Sequence, residues 1–208
     1  MAKGNTLTIK HGGWCKHASK ENSGEHYLDT KMIPYLSFFL KSKTVGSFGD
    51  GPGAYKREIM KLQQVQLYDA YDGAPYSEEN SNGSVKFLDL TIPQYGIPLY
   101  DWIISLEVAE HIPKQFETIY LDNIFRHAKE GIILSWAVPN QDGLKHVNNK
   151  PLKYVIHVME KNGFVINEDL SKKLKESTSI PWLKRNINVY HRTNYSTFGY
   201  RSRLIQFI

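Results

Sequence analysis

The sequence predicts an α/β protein: a doubly wound, mostly parallel sheet of seven strands with helices on both faces and a short N-terminal helical extension. Three observations support this prediction. Short strand-like segments alternate with helical ones, an order that implies parallel pairing through right-handed crossovers. Residues 102–106 (WIISL) and 132–137 (IILSWA) are almost continuously apolar, which is typical of central strands covered on both faces. A first short strand also ends in a glycine cluster and runs into a helix.

The chain of 208 residues is long enough to bury one full-sized core, so we expect a single domain. Residues 1–43 are predicted to form an N-terminal extension or lid, and residues 44–208 the main domain. Within the extension, residues 27–42 carry apolar side chains at helical spacing, interrupted by Pro34. This pattern predicts one or two short helices.

The main domain begins with a strand at residues 44–49 (TVGSFG) and a helix at residues 54–63 (AYKREIMKLQ). We expect Ile59 and Met60 to face inward from this helix. The later strands are short and rich in β-branched or aromatic residues. They are predicted at residues 64–72, 84–90, 100–107, 131–137, 163–170 and 187–192, with helices at 113–129, 150–163 and 171–185 and a flexible acidic loop at 74–84.

The composition is that of an ordinary globular protein, with 41% hydrophobic and 23% charged residues. No apolar run approaches the roughly 20 residues that cross a bilayer, and the first residues lack the apolar centre of a secretory signal. The single cysteine, Cys15, excludes an internal disulfide and agrees with a reducing compartment. We therefore expect a cytoplasmic protein with no membrane partner.

Three glycines, Gly49, Gly51 and Gly53, alternate along the turn that follows the first strand. Glycine permits positive φ angles and lets a ligand approach the backbone where a Cβ would collide. Between a first strand and its helix, such a turn is the usual nucleotide-binding cradle of an α/β sheet. The alternative interpretation is a tight turn with no ligand.

Acidic residues stand at the ends of the next two predicted strands. Asp72 ends the second strand, where a carboxylate can accept hydrogen bonds from both ribose hydroxyls. Asp69 is the alternative for that role, and a turn residue is the alternative for Asp72 itself, because Asp-Gly favours turns. Asp89 ends the third strand, where it can accept from an adenine amino group while Leu88 or Leu90 packs against the ring. Three strand ends would then surround one adenosine.

After the fourth predicted strand come residues 105–113 (SLEVAEHIP), which contain Glu107, Glu110 and His111. Together with the glycine turn and the strand-end acids, this segment resembles the class I, Rossmann-like methyltransferases that use S-adenosylmethionine. The resemblance covers residues 44–137. It implies S-adenosyl-L-methionine as the cofactor and S-adenosyl-L-homocysteine as the product. The cofactor-binding residues that it implies are Gly49, Asp50, Gly51, Gly53, Asp72, Asp89, Leu90 and Glu107.

The sequence departs from that family's pattern at Ser47, where the family has an acid two residues before the first glycine. Asp50 is the residue that would compensate for the missing acid. A dehydrogenase is the alternative enzyme on the same fold. The G-x-G-x-G spacing, rather than G-x-G-x-x-G, and the absence of an evident hydride-transfer role for the 105–113 segment favour the methyltransferase.

The polar loop after the fifth strand provides the candidate catalytic residues. His146 is a possible general base, and Asn148 and Asn149 are possible substrate-binding amides, although either amide could instead cap the following helix. His111 is a second candidate base, with packing beside the cofactor as the alternative. Substrate contacts are also expected from a lid formed by Trp14, His26 and Tyr27. No metal site is expected, because the spacing of His11, Cys15, His17 and His26 matches no established ligand pattern.

The methyl acceptor is expected to be a small molecule, methylated at nitrogen or oxygen, because the chain is compact and no recognition domain flanks the core. The alternative is an RNA or protein acceptor docked on the basic segment 172–203. An acidic middle lies between basic ends, which can attract phosphate-bearing partners or simply keep the surface solvated. Against nucleic acid, the fourth strand runs into SLEV rather than the N/D-P-P-Y/F signature of base methyltransferases. A cofactor-binding protein without catalysis is a further alternative, and the oligomeric state is not predicted.

Overall fold

The computed structural model describes residues 26–75 and 77–193. Their strands are β1 (Thr44–Phe48), β2 (Leu67–Asp72), β3 (Val85–Phe87), β4 (Tyr100–Ser105), β5 (Ala128–Leu134), β6 (Phe164–Ile166) and β7 (Asn188–Arg192). They form a seven-stranded sheet in the order β3-β2-β1-β4-β5-β7-β6. All pairs from β3 to β5 are parallel, and β7 lies antiparallel between β5 and β6. The predicted doubly wound, mostly parallel seven-stranded sheet is confirmed.

Seven α-helices connect or flank the strands of the described part of the chain. They are α1 (Ile33–Phe39), α2 (Ala54–Lys61), α3 (Ser77–Asn80), α4 (Glu117–His127), α5 (Leu152–Lys161), α6 (Glu168–Ser177) and α7 (Leu183–Asn186). Two single 3-10 turns, Ala109–His111 and Lys114–Phe116, lie between β4 and α4. The predicted helices at 54–63 and 150–163 therefore form, and the long predicted helix at 113–129 starts as a 3-10 turn and ends at His127, where β5 begins. The single helix predicted at 171–185 is wrong, because the chain becomes extended at Thr178 and divides this region into α6 and α7.

Two apolar layers cover the two faces of the sheet. In β4, Ile103 belongs to one buried cluster, whereas its neighbours Trp102 and Ile104 belong to the other. Ile132 and Ile133 of β5 divide between the layers in the same way. Successive strand residues point to opposite faces, so a continuous apolar run is what a strand buried on both sides requires.

The parallel strands bring five chain segments to the same edge of the sheet. In register, Phe48 of β1 lies beside Tyr71 of β2, and Ser105 of β4 lies beside Leu134 of β5. Because the strands run in one direction, the loops that follow β1 to β5 all leave the sheet at its carboxyl edge. That edge is where open α/β sheets bind their ligands.

Helix α1 packs onto the main core through Leu36 and through its flanking residues Met32 and Leu40, all fully buried in the layer that contains Val45. Pro34 lies in the first turn of this helix, where a missing backbone N–H costs nothing, so it starts the helix instead of interrupting it. The division at residues 43 and 44 remains a prediction.

Several predicted details are wrong. Met60 is 36% exposed, because Ile59 takes the fully buried position on α2. The predicted flexible loop at 74–84 contains α3. The predicted strand at 163–170 stops at Ile166, because the side chain of Asn167 accepts a hydrogen bond from the Leu170 amide and so caps α6.

Within residues 26–75 and 77–193, no helix combines the length and the apolar character that crossing a membrane would require.

Candidate functional site

The glycine turn after β1 has the left-handed backbone that its sequence predicts. Gly49, Gly51 and Gly53 have φ values of +90°, +59° and +80°. A Cβ on Gly49 would lie 2.3 Å from the side chain of Val108, and one on Gly51 would lie 2.5 Å from the ring of His26. Both glycines are thus required by backbone conformation and by close neighbours. The turn sits directly beside the segment that follows β4.

Asp72 ties the ends of β1 and β2 together. Its carboxylate accepts hydrogen bonds of 2.8 Å from the amides of Gly51 and Ala74, and burial raises its pKa. The alternative ribose ligand, Asp69, lies farther back in β2 and accepts from the hydroxyl of Tyr100 at 2.9 Å. Of the two acids, Asp72 is the one at the carboxyl edge.

Asp89 and Leu90 follow β3. One carboxylate oxygen of Asp89 accepts from the backbone amide of Thr91 at 2.8 Å and from its hydroxyl at 2.6 Å. Leu88 and Leu90 are both buried in the same apolar layer of the core. The predicted contacts of Asp89 and Leu90 with adenine stay predictions, and both residues lie at the edge of the sheet that those contacts require.

Asp50 places a buried carboxylate against Ser47, the position at which the expected acid is missing. The hydroxyls of Ser47 and Tyr68 donate to it at 2.7 Å and 3.2 Å, and the Lys56 amide donates at 3.4 Å. Burial raises the pKa of Asp50 to about 6, although the Ser47 hydrogen bond opposes that shift. The acid beside Ser47 therefore comes from the glycine turn, as Asp50, and not from β1.

Glu107 follows β4 in a left-handed conformation, with φ of +55°. Its carboxylate accepts from the side-chain amides of Gln141 at 3.0 Å and Asn186 at 2.9 Å. Its backbone amide donates to the Ser135 hydroxyl at 2.8 Å. A non-glycine residue at positive φ costs free energy, and such residues cluster at functional sites. Gln141, in a loop, and Asn186, the last residue of α7, were not predicted as site residues, because an isolated polar side chain carries no distinguishing pattern.

Glu110, His111 and His146 come together beside Glu107. One potential ligand atom from each of the three lies within 4.8 Å of the others. The rings of His111 and His146 meet edge to face with centroids 5.0 Å apart. Burial, together with repulsion from His146, lowers the pKa of His111 to about 4. The sequence pattern drew attention only to N-terminal residues as metal ligands, so this group was missed, although both histidines were predicted as candidate bases.

The two asparagines after His146 hold the loop together. Asn148 is only 5% exposed, and its side chain donates to the carboxylate of Glu117 at 2.9 Å. The side chain of Asn149 donates to the carbonyls of Val138 and Gln141, each at 3.0 Å. Neither caps α5, whose N-cap residue is Pro151 with no side-chain cap, so that alternative is wrong. Their substrate-binding role stays a prediction, and their contacts are those of structural residues.

The start of the described chain covers the glycine turn. His26 lies over Gly51 and near Asp72, and burial lowers its pKa although attraction to Asp72 opposes the shift. Tyr27 is 58% exposed and packs edge to face against Trp182, with ring centroids 5.2 Å apart. Trp14, the third predicted lid residue, lies outside the described residues.

Comparison with solved structures identifies the fold. The chain is similar to the magnesium protoporphyrin IX methyltransferase ChlM of Synechocystis PCC 6803 with bound SAH, at 15% identity and a TM-score of 0.55, over 81% of this chain and 88% of that one. It is similar to the N-methyltransferase NodS of Bradyrhizobium japonicum WM9 with SAH, at 13% identity and a TM-score of 0.57, over 78% and 84%. It is also similar to the CcbJ methyltransferase of Streptomyces caelestis, at 8% identity and a TM-score of 0.60, over 86% and 96%.

No protein-family model matches the chain, and the comparison with curated proteins returned no significant match. At these identities the structural likeness establishes the fold, which is that of class I methyltransferases.

Proposed function

We propose that this protein is an S-adenosylmethionine-dependent methyltransferase that acts on a small-molecule acceptor at nitrogen or oxygen. One observation carries the proposal: the Gly51 amide is hydrogen-bonded to Asp72, which joins the glycine turn after β1 to the acid that ends β2. This junction lies at the carboxyl edge of a sheet whose structural neighbours include methyltransferases with bound SAH.

In this proposal the glycine turn receives the methionine part of the cofactor. Asp72 accepts hydrogen bonds from the ribose, and Asp89 accepts one from adenine. Asp50 supplies the acid that Ser47 lacks, and its buried carboxylate is suited to the cofactor's ammonium group because opposite charges attract strongly away from water. The residues that this proposal assigns to the cofactor all lie where β1, β2 and β3 end, at the carboxyl edge of the sheet.

Methyl transfer is an in-line displacement at a carbon that the sulfonium already activates. The protein therefore contributes mainly by aligning the acceptor with the methyl group and by excluding water. The rigid surroundings of Glu107 and His146, on the far side of the glycine turn from Asp89, are suited to holding the acceptor. One structural neighbour, a magnesium protoporphyrin IX methyltransferase, supports a small acceptor.

The test is calorimetric titration of the full chain with S-adenosylmethionine and S-adenosylhomocysteine, followed by transfer of labelled methyl groups to a metabolite panel and to total RNA. We expect binding of both ligands and transfer to a small molecule. Absence of cofactor binding would refute the proposal as a whole. Transfer to RNA alone would refute the small acceptor, and binding without any transfer would favour the non-catalytic alternative.

A further inference from the structure

The carboxylate of Glu110 is fully buried beside a second carboxylate, that of Glu107. The side chain is 0% exposed, and the groups near its oxygens are the carboxyl group of Glu107 and backbone amides, including that of Ala137, none of which carries a positive charge. Burial raises its pKa well above the ordinary value, and the nearby carboxylate of Glu107 raises it further. An ionised carboxylate in such surroundings is strongly unfavourable unless a proton or a cation neutralises it.

Two imidazole rings face this carboxylate. Nε2 of His146 lies 3.9 Å from a carboxylate oxygen of Glu110, and His111 packs edge to face against His146. The backbone carbonyl of Glu110 also accepts hydrogen bonds from the amides of Val147 and Asn148, at 2.9 Å and 3.0 Å. These bonds hold the His146 loop against the turn that carries Glu110. Backbone hydrogen bonds therefore keep the loop that carries His146 next to Glu110.

The outer hydrogen bonds orient His146 as a metal-binding imidazole. Its Nδ1 lies 3.1 Å from the backbone carbonyl of Gln141 and can only donate there, which leaves the lone pair of Nε2 directed toward Glu110. The backbone of Lys145 is likewise a hydrogen-bond partner of the His111 ring. Metal-binding histidines usually donate their second ring nitrogen to a carbonyl or carboxylate in this way. The side chain of Gln141 also donates to Glu107, so Gln141 orients both His146 and Glu107.

We propose that Glu110, His111 and His146 bind a divalent transition-metal ion, with Glu107 as an adjacent carboxylate that completes the charge balance. Two imidazoles and a carboxylate favour ions such as Mn²⁺ or Zn²⁺ over Mg²⁺, which prefers a shell of oxygen ligands. The ligand atoms lie up to 4.8 Å apart, slightly farther than two metal bonds of about 2.0–2.2 Å can span, so metal binding would require small side-chain rotations.

The site would define the acceptor, and this step rests on the proposed function. A Cβ on Gly49 would touch Val108, so the segment carrying Glu110 borders the turn assigned to the cofactor. Three protein ligands leave open coordination positions, and a hydroxyl bound there loses its proton more readily. The acceptor is then an alcohol or phenol. Its oxygen forms a bond to the methyl carbon, the carbon–sulfur bond breaks with its electron pair on sulfur, and the hydroxyl proton passes to solvent.

The first test is metal binding by the full chain after treatment with a chelator, using Mn²⁺ followed by electron paramagnetic resonance and Zn²⁺ as a competitor. We expect one Mn²⁺ site per chain that Zn²⁺ displaces. His146→Ala and Glu110→Gln should each weaken Mn²⁺ binding by about tenfold or more. His157→Ala and Glu160→Gln, exposed positions on α5, are the matched controls and should bind as the unaltered protein does.

No Mn²⁺ or Zn²⁺ binding, or equal binding by the His146→Ala variant and the unaltered protein, would overturn the site. His146 is at the rim of the group, so this variant gives an answer even if Glu110→Gln fails to fold. Water proton relaxation tests the acceptor role, because an open site must hold at least one exchangeable water on Mn²⁺. A bound ion without such water would refute it. Titration with S-adenosylmethionine in the absence of metal separates the two proposals. Cofactor binding without metal binding would refute the metal site alone, and metal binding without cofactor binding would refute the proposed function.

Discussion

The backbone amide of Gly51 donates a 2.8 Å hydrogen bond to the carboxylate of Asp72, across the pair of strands β1 and β2. The bond makes the conformation of the glycine turn depend on the acid that is proposed to bind ribose. A change in either residue should therefore affect the same ligand.

Replacing Asp72 with alanine should weaken S-adenosylmethionine binding by about 2 kcal/mol or more, because hydrogen bonds to a charged group are lost and the Gly51 amide loses its partner. Calorimetric titration measures this effect. Asp169→Ala, at an exposed acid of α6, is the control and should leave the affinity unchanged. Unchanged affinity in Asp72→Ala would contradict the ribose assignment.

Replacing Gly51 with valine should both weaken cofactor binding and destabilise the fold. The residue has φ of +59°, and its new Cβ would meet the ring of His26, so about 1–3 kcal/mol of strain is expected. Urea unfolding and cofactor titration measure the two effects. Gly96→Val is the comparison, since a Cβ there has no atom within 4 Å and its φ is not positive. Equal stability of the two variants would show that the turn tolerates a side chain.

Asp50 should make the free energy of unfolding depend on pH. Its pKa is about 6 in the folded protein, against an ordinary aspartate value of 3.8 in the unfolded chain. The folded state therefore binds more protons between these values, and stability falls as the pH rises from about 4 to about 6. The loss contributed by this one group is about 3 kcal/mol.

Asp50→Asn cannot ionise and should lack this part of the pH dependence. Urea unfolding at a series of pH values should show the stability of the variant rising relative to the unaltered protein between about pH 4 and pH 7. A constant difference across that range would mean that Asp50 titrates normally.

Asn148→Ala distinguishes a structural residue from a substrate-binding one. The change removes a buried hydrogen bond to Glu117, whose carboxylate also meets Lys150 at 2.8 Å and the hydroxyl of Tyr154. We expect a loss of about 1–3 kcal/mol in stability with cofactor affinity unchanged. If the melting temperature stays the same and the Michaelis constant for the acceptor rises, the sequence-based assignment to substrate binding is the correct one.

The sequence alone determined the sheet and the edge at which the candidate site residues lie. The continuous apolar runs of β4 and β5 show burial on two faces, and the spacing of Gly49, Gly51 and Gly53 shows a turn at positive φ. These signals are local: each depends on the period of a strand or on the allowed φ of a residue. For the same reason Asp72 could be located at a strand end before its hydrogen bonds were known.

Only the tertiary structure decided which residues far apart in the chain share one environment. It placed Asp50 against Ser47 and Tyr68, turned Asn148 inward to Glu117, and brought His146 to the buried carboxylate of Glu110. Burial and partner geometry set the charge state and the role of a polar side chain, and neither is encoded in local spacing. The sequence therefore indicated the histidines as candidate bases, whereas their grouping with Glu110 follows from the packing of two loops at the carboxyl edge of the sheet.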